Sequence, residues 1–211
     1  MKSFLFFFVF LLLGIAIVLS YHYWIAKFIT PGISQITTKF SLENAPSESL
    51  SGSIATMSGK VNWQSRTATK FALVKLNQKI QQGEELNTGN NGKVGVKIQN
   101  NALVLLQPNT HISIIQLLPI NFVFAQDKGE AEYANTIQTP ISVRSLDLLS
   151  VITKGKAIIT VDQKKQIVTV AVVQGSVKEA YQDLQQTNNV MNLNQGQTFV
   201  FDETNKIGTI Q

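Results

Sequence analysis

The segment Val94-Gly95-Val96-Lys97-Ile98-Gln99-Asn100-Asn101-Ala102-Leu103-Val104-Leu105 decides how this chain is read. Val94, Val96 and Ile98 alternate with Gly95, Lys97 and Gln99, and a period of two puts the aliphatic set on one face of a strand. Asn100-Asn101 interrupts the pattern, and Leu103 and Leu105 resume it. Asn tolerates the left-handed backbone of a tight hairpin, so the segment predicts a half-buried hairpin that turns at Asn100-Asn101. Upstream, Thr88-Gly89-Asn90-Asn91-Gly92 supplies a second turn. A β meander is expected across residues 76–114.

The same texture continues outward. Apolar residues recur at period two or in short runs at 71–74, 94–98, 103–106, 112–118, 120–124, 148–152, 157–161, 167–173 and 198–201. Gly, Asn, Asp and Lys punctuate them, and short strands at turn-marked intervals predict an all-β domain of sandwich, barrel or solenoid type. After residue 28 only 177–184 has room for a turn or two of helix. Gly59-Lys60-Val61 precedes Leu76-Asn77-Gln78, and Gly175-Ser176-Val177 precedes Leu193-Asn194-Gln195-Gly196 at nearly the same distance. That self-similarity predicts two stacked β modules, each opened by a glycine that turns the chain into a strand.

The N-terminus has a different character. An unbroken apolar run covers residues 4–19, and Tyr21, Tyr23 and Trp24 follow it before Lys27. A bilayer core needs about 20 apolar residues as helix, and Trp and Tyr collect at its interface. Residues 1–28 are therefore expected to be a transmembrane anchor that meets the cytoplasmic membrane through residues 4–26. The competing expectation is a signal peptide cleaved near Ser20, which would leave a secreted domain. His22, at the end of the run, reads as an interfacial imidazole. Thr30-Pro31-Gly32 stops any helix leaving the bilayer. Residues 29–57 are expected to be a flexible linker, because 41–58 is rich in Ser, Glu, Asn, Ala and Gly. The folded domain is expected at 58–211.

Composition narrows the function classes. The 211 residues carry a net charge of +5, but the lysines and arginines are scattered, whereas a nucleic-acid footprint is clustered. Zero cysteines remove disulfides, thiolate catalysis and cysteine-ligated zinc together. His111 is the one histidine of the expected domain, and no Gly-x-Ser-x-Gly elbow accompanies nearby Ser113. Glu84 and Glu85 are adjacent in a strand and point to opposite faces; Glu130 and Glu132 read as a solvated loop. No catalytic residue, metal ligand or cofactor is expected, and the chain reads as a non-enzyme. Two groups are candidates for a partner surface. Lys154, Lys156, Lys164 and Lys165 flank the apolar run 157–161, where they form either an anion-binding patch or a charged hairpin that deters edge pairing. Phe122, Phe124 and Tyr133 bracket the polar stretch that holds Lys128, a segment read as an insertion on a rigid β scaffold.

The order Gly-x-Val, Leu-x-x-Lys-Ile-x-x-Gly-Glu-Glu-Leu-x-Thr-Gly, alternating hairpin, Val-x-x-Gly-Ser-Val and Leu-x-x-Gly-Gln resembles the FecR domain. The likeness runs from Gly59 to Phe199 and is densest at Gln82-Gly83-Glu84-Glu85-Leu86-Asn87-Thr88-Gly89. The resemblance implies FecR-like tandem β modules, a sandwich or short solenoid, held outside the cytoplasmic membrane by a single span. It also implies a binding or scaffolding module recognising a protein or envelope polymer, or a signalling subunit acting through a partner protein. The family's regulators hold a sigma factor with a cytoplasmic helical region; Met1-Lys2-Ser3 offers no such region.

Overall fold

The computed structural model describes residues 48–99 and 102–211. The expected anchor at 1–28, the linker up to residue 47 and the Asn100-Asn101 turn lie outside the described residues. Within them every regular element is a strand, and the domain is all-β. In chain order these are β1 (Ser51–Ser58), β2 (Val61–Gln64), β3 (Ala72–Leu73), β4 (Lys79–Gln81), β5 (Glu85–Thr88), β6 (Lys93–Ile98), β7 (Ala102–Leu106) and β8 (His111–Leu118). There follow β9 (Asn121–Asn135), β10 (Ile141–Ser145), β11 (Leu148–Asp162), β12 (Ile167–Gln182), β13 (Asn188–Asn194), β14 (Thr198–Asp202) and β15 (Ile207–Ile210).

One hydrogen-bonded path runs β15-β14-β12-β11-β10-β9-β7-β6-β1-β4, with the remaining strands joined beside it. Strand β9 links the parts. Its first half lies between β8 and the parallel β10, and its second half between β7 and β11. The inward set forms one core that includes Val96, Val104, Phe122, Phe124, Tyr133, Ile159, Val170 and Phe199. Most buried polar groups are paired inside it, as low local dielectric demands, with Ser145 Oγ and Glu179 Oε1 the exceptions among the described residues. Tyr133 Oη donates to Gln126 Oε1 at 3.1 Å, and Gln126 Nε2 donates to the carbonyls of Gly129 and Ile159 at 2.9 Å.

The central hairpin forms with its apolar faces on a different register. Val94, Val96 and Ile98 are buried as expected, but their partners are Leu106, Val104 and Ala102. Leu103 and Leu105 lie on the other face, half-buried. A two-residue turn would have set Ile98 against Leu103; the closing pair is Ile98 with Ala102, and Gln99 is in the left-handed region at φ 51°. One added loop residue moves every following side chain to the opposite face. Leu105 has a use there: a Cβ on Gly95 would come within 3.0 Å of its Cδ2.

The domain starts before residue 58. Strand β1 pairs with β4 and β6, and Ile54 is fully buried, so 51–57 is not linker. Small residues read as too polar to fold are there because they fit: a Cβ on Gly52 would sit 3.1 Å from Val96 Cγ1. The residues 177–184 are strand, not helix, through Gln182. The two Gly-x-Val units also pair differently. Strand β1, before Gly59, pairs with β4, and β2, after it, pairs with β5. Around Gly175 the order is reversed, with the earlier half of β12 on β14 and the later half on β13. Leu193 is buried while Leu76 is exposed. What the units share is a left-handed glycine, at φ 64° and 77°, rather than a common module.

Strands β11 and β12 bend where Gly155 faces Gly175, with register shifts beside the pair. Both glycines have positive φ, and a Cβ on Gly155 would lie 2.1 Å from the carbonyl oxygen of Gln174. Only glycine lets the two backbones approach this closely. Gly155→Ala is expected to cost about 1–3 kcal/mol and to lower the melting temperature by several degrees, read by thermal circular dichroism. A melt superimposable on the parent's would show that the corner tolerates a side chain.

Candidate functional site

At one end of the sheet, segments far apart in sequence enclose a cleft of about 760 Å³. Phe71 precedes β3, Glu85 and Asn87 come from β5, His111 opens β8, and Asp127 and Lys128 lie in β9. Arg144, Leu146 and Asp147 come from β10 and its turn, Gln163 from the β11–β12 turn and Glu203 from the β14–β15 turn. Local register explains the histidine. His111 stands opposite Asn87 and Lys128, and the shift to Ile112 opposite Gln126 leaves Asp127 as a bulge residue. A bulge re-aims its side chain.

The charges in the cleft sort into two closed groups and two open cations. His111 Nδ1 lies 2.8 Å from Asp127 Oδ2, and its Nε2 lies 3.2 Å from Glu85 Oε2. Phe71 meets the ring edge-on, with centroids 6.4 Å apart. In the second group Lys206 Nζ pairs with both Asp147 and Glu203, and Glu203 Oε2 accepts the Asp147 backbone N–H at 3.0 Å. The hydrogen bond from Lys206 holds Asp147 below the usual carboxylate range. For Lys206 burial acts downward, but its two carboxylates outweigh it and raise the ammonium. All four cleft carboxylates are thus engaged. Among the described residues Lys128 and Arg144 make no ion pair, although Arg144 is near enough to Asp147 to help hold its carboxyl low.

A general base needs a nitrogen facing the proton it takes, and both nitrogens of His111 face carboxylates. Among the described residues no group of three or more His, Cys, Asp or Glu side chains is placed to hold a metal ion.

The candidate partner-surface residues do not come together. Phe122, Phe124 and Tyr133 are fully buried, with the Phe124 and Tyr133 rings 5.8 Å apart, so none of the three belongs to a surface. The stretch around Lys128 is strand, not an inserted loop: β9 alternates inward and outward on either side of it and bulges at Asp127, which sequence polarity disguised. Burial also pushes the Tyr133 phenol far up. Lys154 and Lys156 flank Gly155, and Lys156 Nζ pairs with Glu132 Oε1 at 3.0 Å. Lys164 and Lys165 occupy the turn at the far end of β11, roughly 25 Å away at about 3.3 Å per residue. There Asp162 accepts both their backbone N–H groups at 3.1 Å, and the bond from Lys165 holds its carboxyl low. The four lysines make two separate sites. Of the expected residues only Lys128 lines the cleft; Glu85, Asp127, Arg144, Asp147 and Glu203 were not legible as a group, because no linear motif joins them.

No family model matches the chain, and no curated protein matches it. Solved structures do: two crystal structures, at 1.65 Å and 2.50 Å resolution, of a protein from Parabacteroides distasonis described as a "putative anti-sigma factor". They are 16% and 17% identical to this chain, with a TM-score of 0.53 each. The likeness covers 60% of this chain and 58% of theirs, so the chain spans less than two thirds of their length. At this identity what is shared is the fold of the covered part.

Proposed function

We propose that residues 51–211 form a FecR-like extracytoplasmic binding module, carried on a single-pass membrane anchor at 1–28, which recognises a protein or envelope polymer through the end cleft. The observation that carries this reading is the state of the cleft's charges. Each of its four carboxylates is held by His111 or Lys206, while Lys128 and Arg144, outside those pairs, stand at its rim beside Phe71 and Leu146, where they can meet an acidic and partly apolar partner. Desolvated cation–carboxylate contacts next to an aromatic are the usual anchors of such an interface.

The test is capture from envelope extracts by the full-length protein in detergent, alongside the Lys128→Glu, Arg144→Glu double variant. A consistent partner is expected, retained at least tenfold less by the variant at an unchanged melting temperature. Recovery of nothing above background, or equal retention by both proteins, would count against the cleft.

The neighbours favour a second, narrower reading: a signalling subunit that passes the binding event inward through another membrane protein. It rests on the likeness to those structures of a protein described as an anti-sigma factor, together with the resemblance at Gln82-Gly83-Glu84-Glu85-Leu86-Asn87-Thr88-Gly89. Deletion should then alter envelope-stress or iron-uptake transcription, and an unchanged transcript profile would dispose of the signalling role while leaving the binding role standing.

A further inference from the structure

We propose that this protein associates with a second copy of itself through the open edge of β13, by antiparallel pairing of the two β13 strands about a two-fold axis centred on Val190. Among the described residues β13 pairs with β12 alone, through an unbroken register from Ser176 opposite Asn194 to Gln182 opposite Asn188. Its other edge presents unpaired backbone groups, a template for one more strand.

Sheet edges are ordinarily blunted by charge, proline, bulges or brevity. The other free edges here obey that rule. Strand β4 has three residues and carries Lys79, β3 has two residues, and β15 has four and directly follows Lys206. Strand β13, Asn188-Asn189-Val190-Met191-Asn192-Leu193-Asn194, has seven residues and none of these devices. Its lack of charge identifies the occupant. Two-fold pairing sets a strand against its own sequence, so any charged residue near the axis would meet its like; here none does.

A second feature fixes the register. Leu149 on β11 stands opposite Ala180 on β12, and Ala180 opposite Val190 on β13. These three residues form an outward row, with Leu149 38% and Val190 62% exposed, that stops at the open edge. Setting Val190 against Val190 of a second copy continues the row across six strands, with Asn188 facing Asn192 and Asn189 facing Met191. Asn188 and Asn192 can bond across the seam, and the apolar row is covered along its length. A seam of this length lies at the small end of specific interfaces, so dissociation in the micromolar range is expected. Anchoring both copies in one membrane would raise their effective concentration.

The full-length chain in detergent micelles should sediment as a monomer–dimer equilibrium. Val190→Lys places two ammonium groups at the axis and should weaken association at least tenfold, while the exposure of residue 190 keeps the melting temperature near the parent's. Because the chain has no cysteine, Val190→Cys gives a single thiol that a short bismaleimide should join efficiently to its counterpart, whereas Ile207→Cys on the β15 edge should stay uncoupled. A species monomeric at about 100 µM, a dimer unmoved by Val190→Lys, or equal coupling at 190 and 207 would overturn the proposal.

Discussion

Val96→Asp is expected to leave the domain unfolded at room temperature. Val96 lies in β6 between Ile54 of β1 and Val104 of β7, and all three side chains are buried. A carboxylate there has no partner, and burying it costs several kcal/mol, whether as an unpaired charge or as a neutral acid lacking hydrogen bonds. Loss of the aliphatic contacts adds about 1–3 kcal/mol. Against a total of roughly 5–15 kcal/mol for a domain, the two together remove most of the margin. Far-ultraviolet circular dichroism and a cooperative urea transition report the outcome. Val96→Ala, which deletes methyl groups without adding a charge, should remain folded and melt some degrees lower. If the aspartate variant melts like the parent, Val96 does not face the core and the hairpin register is wrong.

The difference between those two variants isolates what the sequence could reveal. Period-two alternation at Val94, Val96 and Ile98 specifies which side of β6 is inward regardless of what surrounds it, because the pleat is local. The partner strand was not specified in the same way. Its face depends on how many residues the loop spends, and Asn100-Asn101 suits a two-residue or a three-residue connection alike. The start of the domain was hidden for another reason. Composition measures how much apolar surface a segment brings, whereas Gly52 contributes by bringing none, which lets β1 close against Val96 and Ile98. A segment whose role is to be thin looks like linker to any hydrophobicity count.

The cleft was illegible for a topological reason. His111 meets Glu85 and Asp127, respectively 26 and 16 residues away, and Lys206 meets Asp147 59 residues away. Each of these side chains is an ordinary outward position on a strand or turn. Only the pairing of β5 with β8, of β8 with β9, and the convergence of the β10–β11 and β14–β15 turns make them neighbours. Conversely, Phe122, Phe124 and Tyr133 stood out as aromatics beside a polar stretch, and their proper place was the core. In a strand, polar residues such as Asp127 and Lys128 need only one exposed face or a bulge, so they say little about whether the aromatics next to them are exposed.

The second large effect is a loss of stability with rising pH, carried by Glu179. Its side chain is fully buried on β12, where Ser150 Oγ donates to its Oε2 at 2.7 Å while Oε1 has no hydrogen-bond partner among the described residues. Burial disfavours the charged form and pushes the carboxyl up to about 8; the serine bond acts in the opposite direction and is the smaller influence. Below the ordinary value near 4.5 the group is protonated whether the chain is folded or not, and it adds no pH dependence. Above that value the unfolded chain releases the proton while the folded one keeps it. The stability this proton confers is therefore present at low pH and declines as pH rises toward about 8, after which the loss is complete. At about 1.4 kcal/mol for each unit separating the two states, the decline amounts to several kcal/mol. Asp147, Asp162, Asp183 and Asp202 shift downward, so their contributions are lost only as pH falls through the acid range and leave this window clear. Glu179→Gln preserves the shape and an acceptor for Ser150 without a titrating proton. Parent and variant should melt together near pH 5, and by pH 9 the variant should melt about 10 °C higher, since 1 kcal/mol moves a domain of this size by roughly 2–4 °C. Parallel melting curves from pH 5 to 9 would mean that Glu179 reaches water and ionises normally, and that the interior of β11 and β12 is less closed than its packing indicates.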